Sequence, residues 1–213
     1  RGRKYLNTSN TIDFNEKKGF ICDMDGVIYH GNKILPNVAE FIQWLHEEKK
    51  EFLFLTNNSG YTPRELNQKL ERMGLDVSEE HFYTSALATA AFLKEQAPGC
   101  SAFAIGEAGL LNALYDAGIT MNDVNPDYVV VGEGRSYSLD TLTKATNLVL
   151  KGAKLIGANS DVSGPIENGI APSGYINGGV YFIKRTLLEE IEEDKFSFEK
   201  SVLAGGYDIG VYE

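Results

Sequence analysis

Two aspartates one residue apart close an apolar run in Phe20-Ile21-Cys22-Asp23-Met24-Asp25-Gly26-Val27-Ile28. Strands favour Ile, Val and Phe and are poor in Asp, so paired carboxylates at a strand's end demand a reason. If the chain stays extended, Asp23 and Asp25 point to the same side. Like charges that close repel unless a cation or a shared proton intervenes, and carboxylate oxygens are the ligands a hard cation such as Mg2+ takes. One carboxylate can attack phosphorus and form an aspartyl-phosphate. A second, two residues on, can protonate the leaving oxygen and later activate water. Against a negative substrate such a pair needs a divalent cation. A second apolar run, Phe52-Leu53-Phe54-Leu55, ends in Thr56-Asn57-Asn58-Ser59-Gly60. Thr56 and Asn57 offer a hydroxyl, an amide and backbone N–H groups to phosphate oxygens, and the helix that follows offers the free N–H groups of its first turn. A lysine is also expected, to neutralise nucleophile and phosphate. The plainer reading of the first stretch is a strand end with a solvated Asp-x-Asp turn.

The elements that must position these groups alternate along the chain. Gly19 to Cys22 reads as a buried strand, Asn37 to Lys49 as an amphipathic helix, and Phe52 to Leu55 as a second buried strand. Thr62 as N-cap and Pro63 at the first position open a second helix, which Gly74 ends. Strand, helix, strand, helix argues for a parallel sheet, whose ligands bind at the carboxyl ends of the strands. The alternation resumes with a helix that Ser85 caps, running to about Gln96, a strand Ala102 to Ile105, and a helix Ala108 to Ala117. A strand Tyr128 to Val131, a helix Ser138 to Leu150 and a strand Lys154 to Ala158 follow. The strand exits Ile105-Gly106-Glu107-Ala108-Gly109 and Val131-Gly132-Glu133-Gly134-Arg135 lack a full G-x-G-x-x-G and read as ordinary turns, with Arg135 a candidate substrate contact. Thr11 to Phe14 is a weak strand candidate. Beyond a Gly/Pro/Asn/Ser-rich loop at Asn159 to Gly174 the alternation stops.

The chain has 213 residues, 43% of them hydrophobic, so a substantial core needs no disulfide staples. A net charge of -10 argues against a nucleic-acid binder but not against a small phosphorylated substrate, since one cation can reverse a local field. Of the two cysteines, Cys22 lies inside an apolar run and reads as a buried small hydrophobe. Arg1 to Asn10 are polar, without the apolar stretch of a secretory signal, and no run approaches membrane-spanning length. A cytoplasmic protein with no membrane partner is expected.

Asp23-Met24-Asp25-Gly26-Val27-Ile28-Tyr29 followed by Leu55-Thr56-Asn57-Asn58 resembles the first two motifs of the haloacid dehalogenase (HAD) superfamily. The nearer resemblance is to its NagD-like phosphatases, also through Phe82-Tyr83-Thr84-Ser85-Ala86, Asp123 to Gly132 and Ala158-Asn159-Ser160-Asp161, over about residues 19–173. It implies an α/β fold, with a Rossmann-like parallel-sheet core and an inserted α/β cap. It implies Asp23 as nucleophile, Asp25 as general acid and base, Mg2+ held by Asp23 and the Asp25 carbonyl, and phosphate held by Thr56 and Asn57.

The family's third and fourth motifs, Gly-Lys-Pro and Gly-Asp-x-x-x-Asp, are not intact, so the core is expected to be incomplete. Lys184, after Tyr181-Phe182-Ile183, is the candidate phosphate-binding lysine, and Asp208, after Gly205-Gly206-Tyr207, the candidate third metal ligand. A surface lysine and a turn aspartate are equally open readings. Gly174 to Tyr181, Phe196 to Lys200 and Tyr207 to Gly210, with Phe14 to Lys18, resemble sugar-phosphate nucleotidyltransferases instead. The expected layout is an extension at 1–18, a core at 19–83 and 175–213, and a cap at 84–174. The expected function is Mg2+-dependent hydrolysis of a small phosphomonoester, a sugar phosphate or a nucleotide. The alternatives are a catalytically impaired remnant or binding module, and a nucleotidyltransferase fragment. Oligomeric state is open.

Overall fold

The computed structural model describes residues 14–134, 137–159 and 180–181. The chain divides into two units, Gly19–Val180 and the ends Arg1–Lys18 with Tyr181–Glu213. In the second of these, Phe14–Glu16 is a turn of 3-10 helix; Thr11 to Asp13 of the expected strand lie outside the described residues.

The Gly19–Val180 unit holds two mainly parallel sheets. In the first, β1 (Gly19–Asp23) pairs in parallel with β4 (Glu51–Thr56), and β4 with β5 (Phe82–Thr84). A small antiparallel hairpin, β2 (Tyr29–His30) with β3 (Lys33–Ile34), occupies what the sequence suggests is loop. β1 and β4 are not buried on both faces, as their continuous apolar runs imply. Phe20, Cys22, Phe52, Phe54 and Phe82 are buried, while Ile21, Leu55 and Tyr83 are 38%, 37% and 39% exposed. The alternation is the two-residue period of a strand with one face turned to a core.

That core is closed by two helices. α1 (Val38–Glu47) buries Val38, Ile42 and Leu45, and α2 (Pro63–Arg72) buries Leu66 and Leu70. α2 starts where its sequence signals place it. The Thr62 hydroxyl accepts from the Glu65 N–H, and the Glu65 carboxylate accepts from the Thr62 N–H, a capping box with Pro63 behind it. It stops at Gly74, whose φ of +88° suits a residue without Cβ.

The second sheet has strand order β7-β6-β8-β9, from β6 (Ser101–Ile105), β7 (Thr120–Met121), β8 (Tyr128–Val131) and β9 (Lys154–Gly157), all parallel. The helices α3 (Ser85–Gln96) and α4 (Ala108–Asp116) pack Ala90, Leu93, Leu110 and Leu114 with Ala102 and Val130. α5 (Leu139–Leu150) packs Ala145 and Leu148 with Ile105 and Val129. Successive residues Val129 and Val130 thus serve separate cores, so both faces of β8 are covered. α3 is capped by Thr84 rather than by Ser85, which is its first residue. Among the described residues no helix is long and apolar enough to cross a membrane.

Candidate active site

β1 ends at Asp23, and the chain does not stay extended to Asp25. The Met24 carbonyl accepts from the N–H groups of Val27, Ile28 and Tyr29 at 3.3, 2.9 and 3.3 Å, and Gly26 turns the backbone at φ +81°. The Gly26 N–H donates to the Tyr29 carbonyl at 2.8 Å, and Asp25 and Tyr29 form an isolated bridge. This tight reversal, anchored on fully buried Met24, brings Tyr29 back beside Asp25 in the backbone. Asp23 is half-buried, and its Oδ1 accepts from the Met24 N–H at 2.7 Å. Asp25 is exposed.

The parallel register pairs Asp23 with Leu55, so Thr56 lies one residue further on at the same sheet edge. Thr56 is buried, and its hydroxyl accepts from the Asn58 N–H at 3.1 Å. The Asn58 side chain accepts from the Gly60 and Tyr61 N–H groups at 2.8 and 3.1 Å. The Asn57 carbonyl accepts from the Ser85 hydroxyl at 2.7 Å, which ties the loop to α3. Residues 56–61 are therefore shaped by their own short polar side chains.

Two further contacts join this loop to the second sheet's strand exits: the Glu133 N–H donates to the Ser59 hydroxyl at 2.6 Å and the Gly109 N–H to the Gly60 carbonyl at 2.9 Å. The exits are joined to each other by the Glu107 N–H, which donates to the Glu133 carbonyl at 3.2 Å. The glycines in those exits serve packing. A Cβ on Gly132 would stand 2.9 Å from the Ser59 hydroxyl and 2.7 Å from Leu110 Cδ2. The Tyr137 hydroxyl donates to the Gly132 carbonyl.

One sequence expectation is corrected. The first turn of α2 is not a set of free donors for an anion. Pro63 has no N–H, the Glu65 N–H is taken by Thr62, and the Glu65 carboxylate already places a negative charge there. Lys184, Asp208 and Arg135 lie outside the described residues.

Two residues with no role assigned from the sequence stand at the site. Tyr29 is 2% exposed and Lys69 Nζ sits 3.8 Å from its ring centroid, with the Tyr61 ring 5.6 Å away. Burial, then the charge of Asp25 and a hydrogen bond to it, then the charges of Tyr61 and Asp23, hold the Tyr29 proton on well above the ordinary phenol range. Burial lowers the Lys69 pKa, and Asp25 partly offsets this. Tyr29 carries a weak signal, four residues after Asp25 across a Gly turn. Lys69, forty-odd residues on and inside an amphipathic helix, carries none. A depression of about 520 Å³ lined by Asp123, Asp140, Lys144 and Lys151 includes neither Asp23 nor Asp25 and is not part of this site.

The donors fit Mg2+ in kind: Asp23 and the Asp25 carbonyl are hard oxygen ligands, and Mg2+ commonly takes only one or two carboxylates, completing its shell with waters and substrate phosphate.

Residues 20–120, which hold the acids after the first strand and Thr56-Asn57 after its parallel neighbour, match the family model of the haloacid dehalogenase-like hydrolases. The fold and sequence are similar to those of NagD. The chain is 46% identical over 154 residues to a dihydroxyacetone phosphatase of Corynebacterium glutamicum, covering 72% of this chain and 56% of that protein. The structure of NagD from Escherichia coli K-12 is 43% identical, with a TM-score of 0.65 over 70% of this chain and 59% of that one. A glycerol phosphate phosphatase from Mycobacterium tuberculosis, solved in complex with magnesium, is 27% identical, with a TM-score of 0.63 over 68% of this chain and 45% of that one. The chain spans somewhat more than half the length of the curated relatives it matches.

Proposed function

We propose that the protein is a phosphoric monoester hydrolase acting on a small phosphorylated substrate, a sugar phosphate or a nucleotide. The observation that carries this reading is the β1–β4 register, which sets Asp23 and Thr56 at one sheet edge. The names of the relatives support the substrate class: one is a dihydroxyacetone phosphatase, others are a ribonucleotide monophosphatase and acid sugar phosphatases.

In this reading Asp23 attacks phosphorus. The new bond forms from a carboxylate oxygen to phosphorus as the ester P–O bond breaks, and Asp25 gives its proton to the departing oxygen. Asp25 then takes a proton from the water that attacks the aspartyl-phosphate. Inorganic phosphate leaves and Asp23 regains its carboxylate. Thr56 and Asn57 bind the phosphoryl oxygens, Thr56 still having its hydroxyl proton to donate while it accepts from Asn58. Mg2+, held by Asp23, the Asp25 carbonyl and Asp208, would offset the charge between carboxylates and phosphate. Lys184 is assigned to the phosphate.

We further assign 19–83 with 175–213 to a core and 84–174 to a cap, and 1–18 to an extension. The two sheets with their separate apolar clusters support that division. The two free, buried cysteines agree with a cytoplasmic setting.

The test is release of phosphate from p-nitrophenyl phosphate by the full chain, with Mg2+ and with a chelator, beside Asp23→Asn. Turnover is expected with Mg2+ alone. Loss in the variant should exceed 10³-fold, of the order that removing a nucleophile costs. Wild-type turnover by Asp23→Asn would sink the reading.

A further inference from the structure

Ser85 is the first residue of α3, yet its hydroxyl does not serve that helix. The cap is Thr84, whose hydroxyl accepts from the Leu87 N–H at 3.2 Å. The Ser85 hydroxyl donates instead across to the loop after β4, to the Asn57 carbonyl at 2.7 Å. That carbonyl belongs to the peptide joining Asn57 to Asn58. The N–H of the same peptide donates to the Thr56 hydroxyl at 3.1 Å. One peptide is thus gripped at both ends, and it connects the hydroxyl of Ser85 to the hydroxyl of Thr56.

On the reading of Thr56 as a phosphate-binding residue, we propose that Ser85 is a positioning residue that acts through the Asn57–Asn58 peptide to aim the Thr56 hydroxyl proton at the phosphoryl group. A hydroxyl has one proton and two lone pairs. The Asn58 N–H takes one lone pair, which fixes the rotor and keeps the proton on the side away from Asn58. Hydrogen bonds in a chain polarise one another. A donor on the peptide carbonyl makes the peptide N–H a stronger donor, and a hydroxyl that accepts a stronger bond also donates a stronger one. Thr56 is buried, so water competes little with this chain. The loop itself does not depend on Ser85 for its place. Its far end is pinned separately, by the Glu133 N–H on the buried Ser59 hydroxyl and by the Gly109 N–H on the Gly60 carbonyl. Loss of the Ser85 hydroxyl therefore loosens one peptide and not the whole loop.

Ser85→Ala in the full chain removes the hydroxyl and leaves the Thr84 cap in place, while Ser85→Thr keeps a hydroxyl. The probe is inorganic phosphate, titrated by calorimetry in Mg2+ buffer, beside kcat and KM for p-nitrophenyl phosphate. Ser85→Ala should weaken phosphate binding and lower kcat/KM, each by about three- to tenfold, the size of one ordinary hydrogen bond. Ser85→Thr should stay within about twofold of wild type. The urea midpoint of both variants should match that of the wild type. Thr56→Val removes the group on which Ser85 acts. Added to it, Ser85→Ala should change phosphate affinity by less than about twofold, because groups that act as a unit are not additive. A merely structural Ser85 lowers affinity alike in both backgrounds. Equal loss in both, no loss in either, a Ser85→Thr variant as weak as Ser85→Ala, or no phosphate affinity in the wild type would overturn the proposal. Phosphate release that survives Asp23→Asn would overturn the phosphatase mechanism instead, and the phosphate affinities would still decide the role of Ser85.

Discussion

Gly109 and Tyr61 meet backbone to backbone. A Cβ on Gly109 would lie 2.5 Å from the Tyr61 carbonyl oxygen and 2.7 Å from that of Ser59, while the Gly109 N–H donates to the carbonyl of Gly60 between them. The loop that follows Thr56 therefore rests on the first turn of α4, and a single side chain would push the two apart.

Gly109→Ala is expected to destabilise the protein by about 1–3 kcal/mol through that overlap. The sign is the informative part, because Gly to Ala inside a helix ordinarily stabilises by ~1 kcal/mol. Urea unfolding of wild type and variant reads it as a change in midpoint. A midpoint that rises would show that the contact is slack.

Gly26→Ala separates backbone strain from crowding. Nothing lies within 4 Å of a Cβ built there, but φ is +81°. The cost is therefore conformational, about 1–2 kcal/mol. If the strained turn is what holds Asp25 beside Tyr29, turnover should fall in the variant more than ten-fold while KM changes little. Retention of full turnover alongside the expected loss of stability would mean that the turn shapes the fold but not the acid.

The two free cysteines predict an alkaline weakness. Cys22 and Cys100 are 1% and 7% exposed, and burial pushes the Cys22 thiol up to about 11. For Cys100 burial raises the pKa first and the charge of Asp127 second, with a backbone hydrogen bond opposing. A thiol whose pKa is raised on folding keeps its proton where the unfolded chain has lost it. Its stabilising share is whole below the unfolded value of 9.0 and is lost as pH rises through the folded pKa. Stability in urea should fall from pH 8 to pH 10, and Cys100→Ala should fall less. A thiol reagent at pH 7.5 should react with neither cysteine until denaturant is added.

Much of the first sheet could be read from residues alone, because its signals are local. Thr62, Pro63 and Glu65 announce the start of α2, and Gly74 its end, since each acts within one helical turn. The alternation of apolar runs with amphipathic segments gives β1, α1, β4 and α2 in order. The missed strands β2, β3, β5 and β7 have two or three residues each, too few for a period to register. The free helix donors expected after Thr62 are fewer for an equally local reason: Pro63 has no N–H, and Glu65 both completes the capping box and sets its own negative charge there.

The sequence by itself determined the acids and their setting: Asp23 and Asp25 closing one apolar run, Thr56 and Asn57 closing another, in an order that demands a parallel sheet. Only the tertiary structure decided that the backbone of Tyr29 returns to Asp25, that Lys69 covers Tyr29, and that Gly109 and Gly132 admit Ser59 and its neighbours. The physical reason is range. Caps, turns and periodicity act within a few residues. The packing of Lys69 on Tyr29, or of Gly109 on Tyr61, joins residues brought together by strand register and helix crossing, which no short pattern encodes.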